Sequence, residues 1–319
     1  MKWAIIDLGS NTFHLLIVEQ KLGKLHTIWQ EATPAKIAQG GINQGIITPE
    51  AIQRALNVLK DFRAKIDELG IDSNHIKAIG TSAIRNAKNN NEFCTTIATQ
   101  TGIHIDIISG EREAELIYGG VRQATHLGNS PNLIMDIGGG SVEFIIANQE
   151  KIFWKKSFEI GGQRLLEKFV NTDPISEGAI RRIYDYLQIE LLPLMNAAHQ
   201  YRPQVLVGSS GSFDTLIDIE FMRQAGHWPP EDQHSFAYNI EAFKYAYNLI
   251  VGQDREKRMQ IKGMKELRVD MIVVGVIMID YVLEALSINE IRCSTFALKE
   301  GILNWVVNSN QEMQYPYYV

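Results

Sequence analysis

The sequence predicts an α/β protein in which one plan of strands and helices is used twice, the two copies facing each other across a cleft. Three observations predict it. A strand–turn–strand segment near the start recurs in the middle of the chain, a strand–turn–helix segment follows each copy in the same order, and amphipathic helical stretches fill the intervals. At 319 residues the chain exceeds the usual single-domain size of about 100–200, which leaves room for two domains, each with its own core.

Residues 3–18 match residues 132–147 in pattern. Each is an apolar strand ending in Asp-x-Gly (Asp7-Leu8-Gly9 and Asp136-Ile137-Gly138), a tight polar turn, and a second apolar strand. Residues 76–83 and 205–212 form the second matched pair, each a strand, a Gly/Ser turn and the start of a helix. Gly, Asn, Ser and Pro cluster over residues 125–131. This divides the chain into a domain of residues 1–125 and a domain of residues 126–319, with the last helix free to pack back on the first.

Between the matched motifs, residues 51–69 place Ile52, Leu56, Leu59, Phe62 and Ile66 at three- and four-residue spacing, a single buried stripe on a helix. Thr48 supplies its N-cap, Pro49 its first turn, Glu50 an acid at the positive end and Gly70 its stop. The most apolar run, residues 271–279, is closed by Asp280 and falls short of the ~20 residues a membrane helix needs, so it reads as a buried core helix.

Composition narrows the function classes. A formal charge of −6 argues against nucleic-acid binding, whose footprint is a basic face. Cys94 and Cys293 stand far apart with no CxxC pair, which suggests two inert thiols rather than a disulfide framework or a zinc site. Asp7 interrupts the apolar start, so no secretory signal is read and a cytoplasmic location is expected. His14, His126, His227 and His234 lack the HxxxH or HExxH spacing of metal ligands and read as structural or surface residues. The ending Tyr315-Pro316-Tyr317-Tyr318-Val319 reads as a segment that docks on the body or frays.

The Gly/Ser turns carry the chemistry. Turns without bulky side chains expose successive backbone N–H groups and let an anion approach them, which suits phosphate. One such turn is as easily a tight hairpin, but four in duplicated order are not. Facing domains would bring Gly9-Ser10-Asn11-Thr12 and Gly138-Gly139-Gly140-Ser141 to one cleft, with Gly80-Thr81-Ser82 and Gly208-Ser209-Ser210-Gly211-Ser212 beside them. Neither a GxxxxGK[ST] loop nor a strand-anchored GxGxxG is present, so the P-loop and dinucleotide readings lose their support.

These motifs, together with Gly80-Thr81-Ser82-Ala83-Ile84-Arg85, the stretch from Ile108-Ser109-Gly110-Glu111-Arg112-Glu113 to Val121, Arg268-Val269-Asp270 and Lys299-Glu300-Gly301, resemble the ordered motifs of the exopolyphosphatase/guanosine-pentaphosphate phosphatase family. The resemblance implies two duplicated ribonuclease-H-like domains, as in actin, sugar kinases and chaperone ATPases. It further implies hydrolysis of the terminal phosphate of inorganic polyphosphate, or conversion of guanosine pentaphosphate to the tetraphosphate, with Mg²⁺ or another divalent cation such as Mn²⁺.

Carried over by motif, Glu113 matches the catalytic base, with Arg112 in place of the first acid of the Glu-Glu-Ala that many relatives show. Arg85 matches a phosphate-gripping arginine. Asp136 and Glu143 match acids implied in metal binding and water positioning, and duplication gives Asp7 the same place. Arg164 and Lys299 occupy basic family positions. The residues alone leave bland roles open: a solvated helix glutamate for Glu113, turn-capping carboxylates for Asp7 and Asp136, a surface ion pair for Arg85. The chain has no His-Asp dipeptide and looks like the short, two-domain form, for which polyphosphate or guanosine pentaphosphate is the expected partner and a homodimer is compatible. An ATP-dependent kinase or ATPase of the same fold, and a non-catalytic polyphosphate or alarmone sensor, are the competing readings.

Overall fold

The computed structural model describes residues 1–21 and 24–314; the Tyr-rich segment 315–319 lies outside the described residues. The chain runs β1 (Lys2–Leu8), β2 (Thr12–Lys21), β3 (Lys24–Pro34), α1 (Pro49–Glu68), β4 (Ile76–Gly80), α2 (Ser82–Arg85), α3 (Asn90–Thr101), β5 (Ile105–Ile107) and α4 (Gly110–Ala124). It continues through β6 (Asn132–Ile137), β7 (Val142–Ala147), β8 (Ile152–Phe158), α5 (Gly162–Phe169), α6 (Glu177–Glu190), α7 (Leu192–Tyr201), β9 (Val205–Ser209) and α8 (Gly211–Gln224). It closes with β10 (Ser235–Tyr238), α9 (Ile240–Val251), α10 (Arg255–Met259), α11 (Met271–Leu286), β11 (Glu290–Ser294) and α12 (Leu298–Gln314).

The duplication read from the sequence reappears as topology. One sheet has the order β3-β2-β1-β4-β5, with β1, β2 and β3 antiparallel and β4 and β5 parallel to β1. The other has the order β10-β11-β9-β6-β7-β8, in which β8, β7, β6, β9 and β11 repeat that pattern and β10 is added at the edge. This is the duplicated ribonuclease-H-like plan.

Strand alternation sorts the side chains into three cores. On β1, Ala4, Ile6 and Leu8 join the core under α1 and α3, whereas Trp3 and Ile5 point the other way. On β6, Leu133, Met135 and Ile137 join the core with α6, α8 and α11, whereas Ile134 points back. The two backward faces meet a shared middle layer made of α4 and α12, with Ile117, Val121, Leu298 and Ile302 at its centre. Strands buried on both faces must be apolar throughout, which is why they read as unbroken hydrophobic runs.

The two middle helices cross in backbone contact. A Cβ on Gly120 would lie 2.0 Å from the Ala297 carbonyl oxygen, and one on Gly301 would lie 1.8 Å from that of Leu116. Only glycine fits at either crossing point. The Lys299-Glu300-Gly301 motif is thereby fixed against α4. The α1 caps are as expected: Thr48 Oγ1 accepts from Ala51 N–H at 3.3 Å, and Gly70 adopts a φ of 65°. Helix α11 runs through Asp280, whose carboxylate accepts the Tyr184 hydroxyl at 2.5 Å, and is buried along most of its length. Among the described residues, no helix is long and apolar enough to cross a membrane. Cys293 is buried, Cys94 half-buried, and both are free thiols.

Candidate active site

The β1–β2 and β6–β7 turns face each other between the domains, and the β4–α2 and β9–α8 junctions flank them. The cleft is lined by Asp7, Gly9 to Thr12, Thr81, Glu113, Asp136, Gly138 to Ser141, Glu143 and Ser210 to Ser212. The two turns nearly touch, since a Cβ on Gly140 would lie 2.5 Å from Ser10 Oγ and 2.6 Å from Ser82 Oγ. Most of the expected phosphate-binding residues are thus brought together.

Of the expected residues, Gly208, Ser209 and Arg85 do not line the cleft, nor do Gly80 and Ser82 on either side of Thr81. Gly208 and Ser209 are the last residues of β9: a Cβ on Gly208 would meet the Phe213 ring at 2.0 Å, and the fully buried Ser209 turns its hydroxyl to Asp136. They support the site from beneath instead of facing a ligand. Arg85 lies behind Glu113, where Nη1 donates to Glu113 Oε2 at 2.8 Å and to the Ile108 carbonyl at 3.2 Å.

Helix α4 begins at its Ser109 N-cap, whose Oγ accepts from Arg112 N–H, and this first turn carries Glu113 into the cleft. Glu113 is only 6 % exposed, so it is not a solvated helix glutamate. Burial, opposed by Arg85 and reinforced by Asp136 and Glu159, pushes its pKa up to about 7. Arg112 points outward instead, paired with Glu115 at 2.9 Å and stacked over Trp305. Glu143 on β7 is buried and accepts from Ser157 Oγ at 2.7 Å; burial, then Glu113 and Asp136, raise its pKa well above the ordinary range.

The duplicated aspartates differ. Asp136 Oδ2 accepts from Ser209 Oγ at 2.6 Å and from Ser210 Oγ at 2.7 Å, bonds that oppose the upward push of burial on its pKa. Ser210 takes a φ of 69° and a ψ of −179°, a region almost reserved for glycine that costs about 1–3 kcal/mol. Among the described residues Asp7 Oδ1 has no hydrogen-bond partner, nor has Thr12 Oγ1. Burial, with Glu113, Asp136 and Glu300 adding to it against Lys299, carries the Asp7 pKa up to about 8.

Further residues complete the cleft: Arg268 and Lys299, which the motifs contain, and Asp214, Thr295 and His14, which no motif marks. Asp214, Arg268, Thr295 and Lys299 line the side of the cleft nearest α11 and α12, and His14 joins them from β2. Burial, together with Lys299 and Arg268, lowers the His14 pKa to about 3 and keeps the ring neutral in the cleft wall. Burial raises the Asp214 carboxyl to about 6, against the pull of Arg268 and Lys299. No histidine or cysteine pattern marks these residues; they come together only through the packing of α8, α11 and α12.

A divalent cation fits the residues present. Glu113, Asp136 and Glu143 are buried and Asp7 is half-buried; Glu113 and Asp136 raise the pKa of Asp7 and of Glu143, Asp136 raises that of Glu113, and among the described residues Asp7 Oδ1 has no hydrogen-bond partner. Among the described residues no group of three or more His, Cys, Asp or Glu side chains forms a ready-made cage. Magnesium is commonly held by one or two carboxylates, with waters and substrate phosphates completing its shell.

The profile of the Ppx/GppA phosphatase family matches residues 16–309. The crystal structure of an exopolyphosphatase from Cytophaga hutchinsonii superimposes with a TM-score of 0.93 at 41% identity, covering 97% of this chain and 98% of that one. A Ppx/GppA family member from Aquifex aeolicus gives a TM-score of 0.78 at 26% identity, covering 97% and 99%. A Haemophilus influenzae protein provisionally named an exopolyphosphatase is 29% identical over 307 residues, 94% of this chain and 90% of its own.

Proposed function

The chain belongs to the Ppx/GppA phosphatase family, and from that premise we propose that it removes the terminal phosphate of inorganic polyphosphate by direct attack of water. The observation that carries this reading is the placement of a buried glutamate, its pKa raised to about 7, opposite two facing Gly/Ser turns. A general base works best when its pKa lies near the working pH.

In the reaction we infer, Glu113 orients a water and takes its proton as the water oxygen bonds to the terminal phosphorus. The bridging P–O bond breaks, and the shortened chain leaves with the electron pair on its end oxygen. Arg85 donates to Glu113 from behind and holds its carboxylate in place. The turns at Gly9 to Thr12 and Gly138 to Ser141, with Ser210 to Ser212, grip the phosphate oxygens, and Arg268 and Lys299 supply positive charge. Asp7 and Asp136, with Glu143 beside them, would hold Mg²⁺ or Mn²⁺, which when bound neutralises charge on the non-bridging oxygens.

The 5′-terminal phosphate of guanosine pentaphosphate presents the same anhydride and is the second substrate to test. Phosphate release should be followed with Mg²⁺ on long polyphosphate, tripolyphosphate, guanosine pentaphosphate and ATP in parallel. Release from polyphosphate is the expected result. Binding without release from any of the four would overturn the reading in favour of a sensor.

A further inference from the structure

Just outside the Gly138 to Gly140 turn, donors from both domains converge on one carboxylate. Ser82 Oγ donates to Glu159 Oε2 at 2.7 Å, Arg164 Nη2 donates to the same oxygen at 2.9 Å, and Arg85 Nη2 lies 3.3 Å from Oε1. The arginine side chains are 16 % and 14 % exposed, whereas that of Glu159 is 42 % exposed. One buried hydroxyl and two half-buried arginines therefore hold an acid whose other side faces water.

The donors do not depend on that acid for their positions. Arg164 Nε donates to the Gly140 carbonyl at 2.8 Å, and its Nη1 donates to the Ile42 carbonyl at 3.1 Å across the domain boundary. Arg85 is anchored on Ile108 and Glu113, and Ser82 lies against Gly140. Two planar guanidinium groups and a hydroxyl, pre-set around one point, suit a phosphate better than a carboxylate, because phosphate offers more oxygens and more charge. The Glu159 oxygens stand where phosphate oxygens would bind.

We propose that Ser82, Arg85 and Arg164 form a subsite for non-reacting phosphates of the substrate chain, and that Glu159 determines specificity by competing with those phosphates for it. The inference rests on the polyphosphate reading above. A single phosphate gains little from displacing a tethered carboxylate, whereas a chain already gripped in the cleft can do so with its next phosphate. Glu159 thus disfavours short anions over long ones.

The test is calorimetric binding of tripolyphosphate, in chelator so that no turnover intervenes, to the wild-type chain, Glu159→Gln and Arg164→Gln. Glutamine keeps the acceptor for Ser82 but removes the competing charge. Glu159→Gln should bind about tenfold tighter, and Arg164→Gln about tenfold weaker, each the order of one charge-assisted contact. If Glu159 only braced the arginines, both substitutions would weaken binding, and that result overturns the proposal, as does an absence of measurable binding by all three proteins. Opposite signs in a chain that releases no phosphate would uphold the subsite while removing the hydrolase reading.

Discussion

Asp7 and Asp136 end the first strands of two copies of one motif, yet the copies treat them differently. In the second copy, Ser209 and Ser210 both donate to Asp136. Their counterparts in the first copy turn elsewhere: Thr81 donates to the Leu8 carbonyl and Ser82 to Glu159, so among the described residues Asp7 Oδ1 has no partner. One aspartate is held by its own domain, and the other is left for something that enters the cleft. The strand registers differ: Asp136 lies opposite Ser209 across the parallel pair, whereas Asp7 lies opposite Ile79, two residues before Thr81.

The largest effect that sharpens this contrast is on turnover. Asp7→Asn should lower phosphate release by roughly 10²-fold and remove most of the thermal stabilisation given by Mg²⁺, whereas Ser209→Ala should cost at most about tenfold and keep that stabilisation. Equal losses of Mg²⁺ response in the two variants would erase the distinction.

Stability in chelator should reverse the ranking. Ser209→Ala strips a buried carboxylate of a donor and should cost about 1–3 kcal/mol in denaturant unfolding. Asp7→Asn relieves repulsion among buried acids and should leave the chain as stable as the wild type or more so.

A smaller effect follows from protons. Asp7 and Glu113 have pKa values near 8 and 7 in the fold, against ordinary values of 3.8 and 4.5. Between these limits the folded chain binds more protons than the unfolded one, so the stability these groups contribute is present at low pH and lost as pH rises through 7 and 8. His14, held near 3 against an ordinary 6.5, acts with the opposite sign and only below about pH 6.5. From pH 6.5 to 9, melting temperature in chelator should therefore fall, and Asp7→Asn should flatten the upper part of the fall. A rising curve would contradict the assigned burial of these acids.

The sequence made the duplication legible because strand–turn–strand patterns are local, and both Asp-x-Gly turns lie where they were expected. Glu113 could be located by motif, but its burial could not be read from Glu111, Arg112, Glu113 and Glu115, which look alike on a charged helix start. Packing of α4 against β7, β8 and α12 separates the inward Glu113 from the outward Arg112 and Glu115. Strand β9 continues through Gly208 and Ser209, and the residues of that segment that face the cleft start at Ser210. Glu159 gave no signal, being a lone acid after a strand whose partners lie 74 and 77 residues earlier and five later. Asp214 and His14 were likewise invisible as cleft residues, because their company is set by helices far apart in the chain.

The most direct test of the central claim is phosphate release from polyphosphate by Glu113→Gln beside the wild type, with tripolyphosphate binding measured on both. The substitution keeps the shape and an acceptor for Arg85 but removes the base. Release should fall by about 10²–10⁴-fold while binding stays within a fewfold of wild type; release within tenfold of wild type would remove Glu113 from the chemistry and contradict the account.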